Sequence, residues 1–189
     1  MKQQKFKKYR YFHFTTKFVH PKWYDQHLSR NWVDLLSTLE AVQLQRQDPG
    51  LTWHSGVLLS NHVHLLFSTD SYNEHSLVLD IEAQWKKQLE IKKPLFQRPL
   101  PCEPLEHFEH FKMAYKYIYR NPVEAGLCLR AEDYKYSSLG LILDRFRPAH
   151  RNPFIDPLEI IHNPLNRLRW INKDENDRQM NFFEFGEGV

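Results

Sequence analysis

Cysteine is scarce in this chain. Cys102 and Cys128 are its only two, and they form no paired motif, which argues against a zinc ribbon or a disulfide framework and fits a reducing compartment. No apolar run approaches the roughly 20 residues needed to cross a bilayer, and the N-terminus lacks an apolar secretory core, so a cytoplasmic protein is expected. Internal repeats and low-complexity tracts are missing as well. A strong charge of either sign is also lacking: 26 Lys and Arg stand against 23 Asp and Glu, a formal net charge of +3. A nucleic-acid partner must therefore be argued from where the cations fall, not from their total. What the chain does have is 41% hydrophobic and 14% aromatic residues, which excludes general disorder. A length of 189 residues suits one sizeable core with an appended tail better than two full domains.

Hydrophobic periodicity predicts the element order β-α-β-β-α-β-α. In the first strand, about 9–18, Phe12, Phe14 and Thr16 alternate with Tyr11, His13 and Thr15. A helix over about 29–47 carries Trp32, Leu35, Leu36, Leu39 and Val42 at helical spacing and ends at Asp48-Pro49-Gly50. Strands follow at about 52–59 and 61–68, close enough to pair antiparallel, then a helix over about 76–90 that buries Leu77, Ile81, Trp85 and Leu89. A short strand near 95–97 and a helix over about 106–120 complete the order. This succession fits an α+β fold, a ferredoxin-like split β-α-β sandwich with an antiparallel sheet. Beyond Ser138 the segment 147–153 reads as a linker, and 156–161 and 165–171 as short helices packed on the core.

Within the central strand, His62, Val63 and His64 form a His-hydrophobic-His triplet. Side chains alternate along a strand, so His62 and His64 emerge side by side while Val63, Leu65 and Phe67 turn to the other face. Two neutral imidazoles held this way make half of a divalent-metal site; two partly exposed polar side chains are the plainer alternative. In the last helix no breaker precedes Pro122, which disfavours helical geometry at Asn121 and predicts the helix end there, with Gly126 in the turn beyond. Residues four apart on a helix are neighbours, so Tyr117 and Asn121 share a face. Tyr115 and Tyr119 point elsewhere, to pack on the sheet or stack on a base. Taken singly, Tyr117 reads first as an ordinary helix-face aromatic, and Asn121 as a helix cap or turn former before proline. His13, His20, His54, His107 and His110 have no comparable partner and read as structural or solvent-facing.

The cations fall in two clusters. The N-terminal arm holds Lys2, Lys5, Lys7, Lys8 and Arg10 with Phe6, Tyr9, Tyr11 and Phe12 between them; Lys86, Lys87, Lys92, Lys93 and Arg98 form the second. Interleaved charge and flat rings suit single-stranded nucleic acid, where phosphates need cations and unpaired bases need stacking surfaces. A solvated basic tail is the other reading of the first cluster. Asp174, Glu175, Asp177, Glu184 and Glu187 near the end would repel DNA and are expected to face away from it.

In their motifs these segments resemble the IS200-like transposases of the HUH, single-tyrosine class, and most of all the bacterial REP-associated tyrosine transposases. That family's N-H-V-H-L-L strand reads Asn61-His62-Val63-His64-Leu65-Leu66 here. Its L-[WF]-Q-R element reads Leu95-Phe96-Gln97-Arg98, and its Y-I-x-x-N-P-V-x-A-G-L block reads Tyr117-Ile118-Tyr119-Arg120-Asn121-Pro122-Val123-Glu124-Ala125-Gly126-Leu127. Its D-Y-x-x-S-S segment reads Asp133-Tyr134-Lys135-Tyr136-Ser137-Ser138. The blocks keep the family's order over about 9–140. The resemblance implies the HUH fold, with a catalytic domain at 1–140 and a C-terminal extension at 141–189. It also implies His62, His64 and Asn121 as metal ligands and Tyr117 as the nucleophile. The partner would be single-stranded or hairpin DNA, contacted by Lys5, Lys7, Lys8, Arg10, Lys86, Lys87 and Arg98. The protein would work as a monomer or homodimer in the bacterial cytoplasm, associated with the nucleoid. A phenol with a reference pKa of about 10 is a poor nucleophile at neutral pH, so the cation, Mg²⁺ or Mn²⁺, is expected to dominate catalysis.

Two departures stand out. Ser60 replaces the proline that usually enters the central strand, which changes the turn and not the ligands. The family often has basic residues after L-[WF]-Q-R, where this chain has Pro99-Leu100-Pro101-Cys102-Glu103-Pro104. Besides the transposase or nuclease-ligase, a domesticated, non-catalytic DNA hairpin-binding protein on the same fold and a metal hydrolase that activates water remain open.

Overall fold

A computed structural model describes residues 10–70, 73–145, 152–155 and 164–173. Strands β1 (Arg10–Lys17), β2 (Thr52–Leu58), β3 (His62–Thr69) and β4 (Cys102–Leu105) form one antiparallel sheet in the order β2-β3-β1-β4. Helices α1 (Pro21–Gln26) and α2 (Leu28–Arg46) connect β1 to β2, α3 (Glu74–Gln88) connects β3 to β4, and α4 (Phe108–Glu124) follows β4. A 3₁₀ turn (Ala131–Asp133), α5 (Ser138–Ile142) and α6 (Pro164–Asn172) come after it. This is the α+β split β-α-β sandwich expected, with α1 as an addition and α5 running across position 140.

β3 is buried almost throughout, and its side-chain alternation divides the core in two. Val63, Leu65 and Phe67 join Phe12 and Phe14 of β1 beneath the apolar stripes of α2 (Trp32, Leu35, Leu36, Leu39, Val42) and α3 (Leu77, Val78, Ile81, Trp85). Leu66 faces the other way, into a second cluster with Phe111, Ala114, Tyr115, Ile118 and Tyr119 of α4. Each of these large apolar side chains contributes roughly 1.5–3 kcal/mol by leaving water, so both faces resist a slip in register. α6 is held on α4 by Arg120, whose guanidinium donates to Glu124 and to the Lys173 carbonyl at 3.0 Å. Tyr115 and Tyr119 are fully buried, and the Tyr119 hydroxyl lies 2.8 Å from Ser138 Oγ, so this pair packs on the sheet and offers no face to a base.

Two elements differ from the sequence expectation. The fourth strand lies at Cys102–Leu105 and not near 95–97, where Phe96 makes only an isolated bridge to Phe18. Two of the backbone donors there are spent elsewhere, the Leu95 and Phe96 amides on the buried carboxylate of Glu82, and only the Gln97 amide pairs with the end of β1, at the Lys17 carbonyl. β4 tolerates Pro104 because it is an edge strand. The second difference is α4, which continues through Pro122 to Glu124. Proline forfeits one hydrogen bond in the last turn, and the helix then closes with Gly126 at φ 69, the Gly126 amide donating to Val123 at 3.0 Å and that of Leu127 to Pro122 at 2.9 Å. This double closure offsets the lost bond and leaves Asn121 inside the helix.

A bulge in β2 at His54 turns its ring into the α4 layer, where it stacks on Tyr11 and lies 3.0 Å from Ser68 Oγ. Burial pushes the His54 imidazole down from its ordinary 6.5 to about 4. The unfolded chain thus takes up a proton at higher pH than the folded one; above pH 6.5 both states are neutral, and between about 6.5 and 4 acid favours unfolding. His54 alone should remove roughly 3 kcal/mol of stability across that window. Melting curves from pH 7.5 to 4.5 should show a steep loss that His54→Gln, which takes up no proton there, makes shallower. An equal slope in both proteins would contradict this.

Candidate active site

β3 and α4 together build the site. His62 opens β3 half-buried and His64 lies buried two residues on, both on the α4 side of the sheet; their ring centroids are 4.8 Å apart. Across from them α4 presents Tyr117 and Asn121, one turn apart. His62 Nε2 is 3.1 Å from Asn121 Oδ1, and Asn121 Nδ2 donates to the Tyr117 hydroxyl at 3.4 Å. The Tyr117 ring stands edge-on to His64, with centroids 5.6 Å apart. The four residues singled out from separate parts of the chain therefore meet at one end of the sheet.

Burial disfavours the charged form of both imidazoles. Burial lowers the His62 value first, the hydrogen bond that its ring gives to Asn121 Oδ1 opposes this, and the charge of Lys17, its register partner on β1, lowers it further. Burial holds His64 well below the ordinary value, assisted by neighbouring His62 and His13. His64 Nε2 is buried with no hydrogen-bond partner, as a lone pair reserved for a cation would be. The spacing of His62 Nε2 and Asn121 Oδ1 also suits a shared ion, since two ligands held about 2.1 Å from a cation at a right angle stand about 3.0 Å apart. Among the described residues no group of three or more His, Cys, Asp or Glu could hold a metal. A cation here would rely on two imidazoles and an amide oxygen.

Sequence reasoning passed over His13, whose Nε2 lies 3.1 Å from His64 Nδ1, both rings buried and nearly parallel. Its odd position on β1, in phase with Tyr11 and Thr15, was the available signal, but only the non-local pairing of β1 with β3 brings it to His64. His54 is structural, as expected, and His107 and His110 are exposed.

The expected DNA-contacting cations are not gathered at these histidines. Lys5, Lys7 and Lys8 lie outside the described residues. Arg10 sits exposed at the start of β1, its guanidinium over the Phe12 ring. Lys86 and Lys87 lie in the last turn of α3, in the layer on the far side of the sheet. Arg98 donates to Glu82. Burial works to raise the Glu82 carboxyl, but the hydrogen bonds from Arg98 and the Leu95 and Phe96 amides outweigh it and leave the group below the carboxylate range. The 95–98 segment still borders the site, through the Gln97 amide on the carbonyl of Lys17.

No protein-family model matches the chain, and no curated protein does. Among solved structures it is similar to a REP-associated tyrosine transposase bound to a REP hairpin, with a TM-score of 0.62 and 18% identity over 77% of this chain and 85% of that one. This likeness establishes a shared fold: the α+β architecture around a four-stranded antiparallel sheet is also that of a tyrosine transposase. The resemblance read from the motifs thus extends to three dimensions. No helix among the described residues is long and apolar enough to cross a membrane.

Arg98 has a structural partner whatever its part in binding. Arg98→Ala, which leaves the Glu82 carboxylate buried without its cation, should cost about 1–3 kcal/mol in a denaturant titration. Exposed Lys87→Ala should stay within about 0.5 kcal/mol of the parent. Equal stabilities for the two variants would contradict the anchoring role.

Proposed function

We propose that this chain is a divalent-metal-dependent tyrosine transposase, a nuclease and strand transferase acting on single-stranded DNA flanked by hairpins. The observation that carries the reading is the meeting of Tyr117, Asn121, His62 and His64 within hydrogen-bond or ring-contact distance. His62, His64 and Asn121 would hold Mg²⁺ or Mn²⁺, the mixed nitrogen and oxygen set favouring Mn²⁺ in affinity. When bound, the ion would supply polarisation of a phosphate oxygen and stabilisation of the charge that develops in the transition state.

The chain's own residues do the rest. Tyr117 Oη attacks phosphorus, and the bond from phosphorus to the 3′ oxygen breaks. The phenolic proton is lost to solvent and the departing 3′ oxygen takes one up, giving a 5′-phosphotyrosyl ester and a free 3′-OH. Because one ester replaces another, attack by a second 3′-OH rejoins strands without ATP. Asn121 Nδ2, donating to the phenol oxygen, restrains it on the face it shares with the imidazoles. Lys17, exposed and paired in register with His62, sets a positive charge beside the path of the phosphates. In this reading Lys5, Lys7, Lys8, Arg10, Lys86, Lys87 and Arg98 follow the DNA backbone, 1–140 is the catalytic domain, 141–189 its extension, and the protein works in the bacterial cytoplasm at the nucleoid as a monomer or homodimer.

Incubation with single-stranded hairpin DNA and Mn²⁺ should yield a covalent protein–DNA adduct that survives SDS, is lost with EDTA and is absent in Tyr117→Phe. His62→Ala and His64→Ala should abolish the adduct yet leave hairpin affinity within a few fold, since charge and stacking carry binding. Binding without any adduct in the parent protein would identify a domesticated hairpin-binding protein instead, and cleavage retained by Tyr117→Phe a hydrolase that activates water.

A further inference from the structure

We propose that His13 is a positioning residue: its Nε2 accepts the Nδ1 proton of His64 and so fixes His64 in the tautomer whose Nε2 lone pair is free for a divalent cation. The inference rests on the metal role proposed above for His64. His13 Nε2 and His64 Nδ1 are 3.1 Å apart in a buried setting, with ring centroids 5.3 Å apart and planes 13° from parallel. A neutral imidazole carries one N–H, so a hydrogen bond between two such rings has only two forms. In one, His13 donates, and His64 must then carry its proton on Nε2, where it would be buried with no acceptor. In the other, His64 Nδ1–H donates to His13, and His64 Nε2 is a bare lone pair. The second form puts the remaining N–H on His13 Nδ1, which is also buried, so counting hydrogen bonds does not choose between the two; the second is the one that a metal ligand at His64 Nε2 requires.

Metal-bound histidines usually give their second N–H to a carboxylate or a carbonyl, and loss of such a partner typically costs 10–100-fold in metal affinity. Here a second imidazole takes that place. It is a weaker acceptor than a carboxylate, but it brings no net charge into a layer where Val57, Leu66 and Phe111 surround the sheet. His13 also lies beside Tyr117, with ring centroids 6.1 Å apart, so the same ring braces a ligand and borders the nucleophile.

The test uses the whole protein with Mn²⁺ alone as the probe. In the metal-free parent, ¹⁵N-resolved NMR of the histidine rings should show His64 protonated at Nδ1; a proton on Nε2 would overturn the proposal. His13→Phe should weaken Mn²⁺ binding 10–100-fold by calorimetry and leave His64 in mixed tautomers. His13→Gln, whose amide oxygen can still accept, should recover most of the affinity. Mn²⁺ affinity unchanged in a folded His13→Phe would refute the positioning role while the adduct assay of the parent still upheld the proposed activity. Should His13→Phe fail to fold, the tautomer in the parent and the affinity of His13→Gln decide. A parent protein that bound no Mn²⁺ would instead bring down the metal role of His64, and this inference with it.

Discussion

Strand β3 has protein on both sides for nearly its whole length, and the rest of the molecule is organised by that constraint. With a side-chain period of two, the residues that fill the α2 and α3 layer and those that face α4 cannot be chosen independently. Phe67, Leu65 and Val63 secure the register from beneath, and in doing so they aim His64 and His62 upward. A slip of one residue would bury the imidazoles among the leucines of α2 and turn three large apolar groups toward the phenol. The apolar layer is thus what positions the polar one.

Burying imidazoles carries its own cost, and the structure meets it differently at each ring. His54 meets it with the Ser68 hydroxyl and a stack on Tyr11, in a bulge that takes the ring out of the regular ladder. His64 meets it on one nitrogen only, through His13, and keeps the other without a partner. Each ring thus has one nitrogen in a hydrogen bond and one buried outside it, and what sets His64 apart is its place beside His62, facing Tyr117. Both are buried, and both are held neutral by burial.

What could be read from the chain depended on range. The alternation in β3, the stripe in α2 and the four-residue spacing of Tyr117 and Asn121 are local patterns, and the fold follows them closely. β4 was hidden because the prolines around Cys102 suppress strand character that an edge position tolerates. The segment at 95–97 looked like a strand because its apolar residues are buried, but its amides serve the Glu82 carboxylate, more than ten residues earlier in the chain. Pro122 hid the true end of α4, since the closure that rescues it comes from residues downstream. The pairing of His13 with His64 joins residues 51 positions apart and follows only from the order of strands in the sheet.

Because α4 carries on past Pro122, Tyr117 and Asn121 belong to the same regular stretch and not to a helix and its fraying tail. They move as one body. Under the proposed chemistry, any excursion that carried a tethered DNA end away from the sheet would withdraw the amide from the ion along with the phenol. A pull on the phenol would then also be a pull on the amide, geared together by a single helical turn.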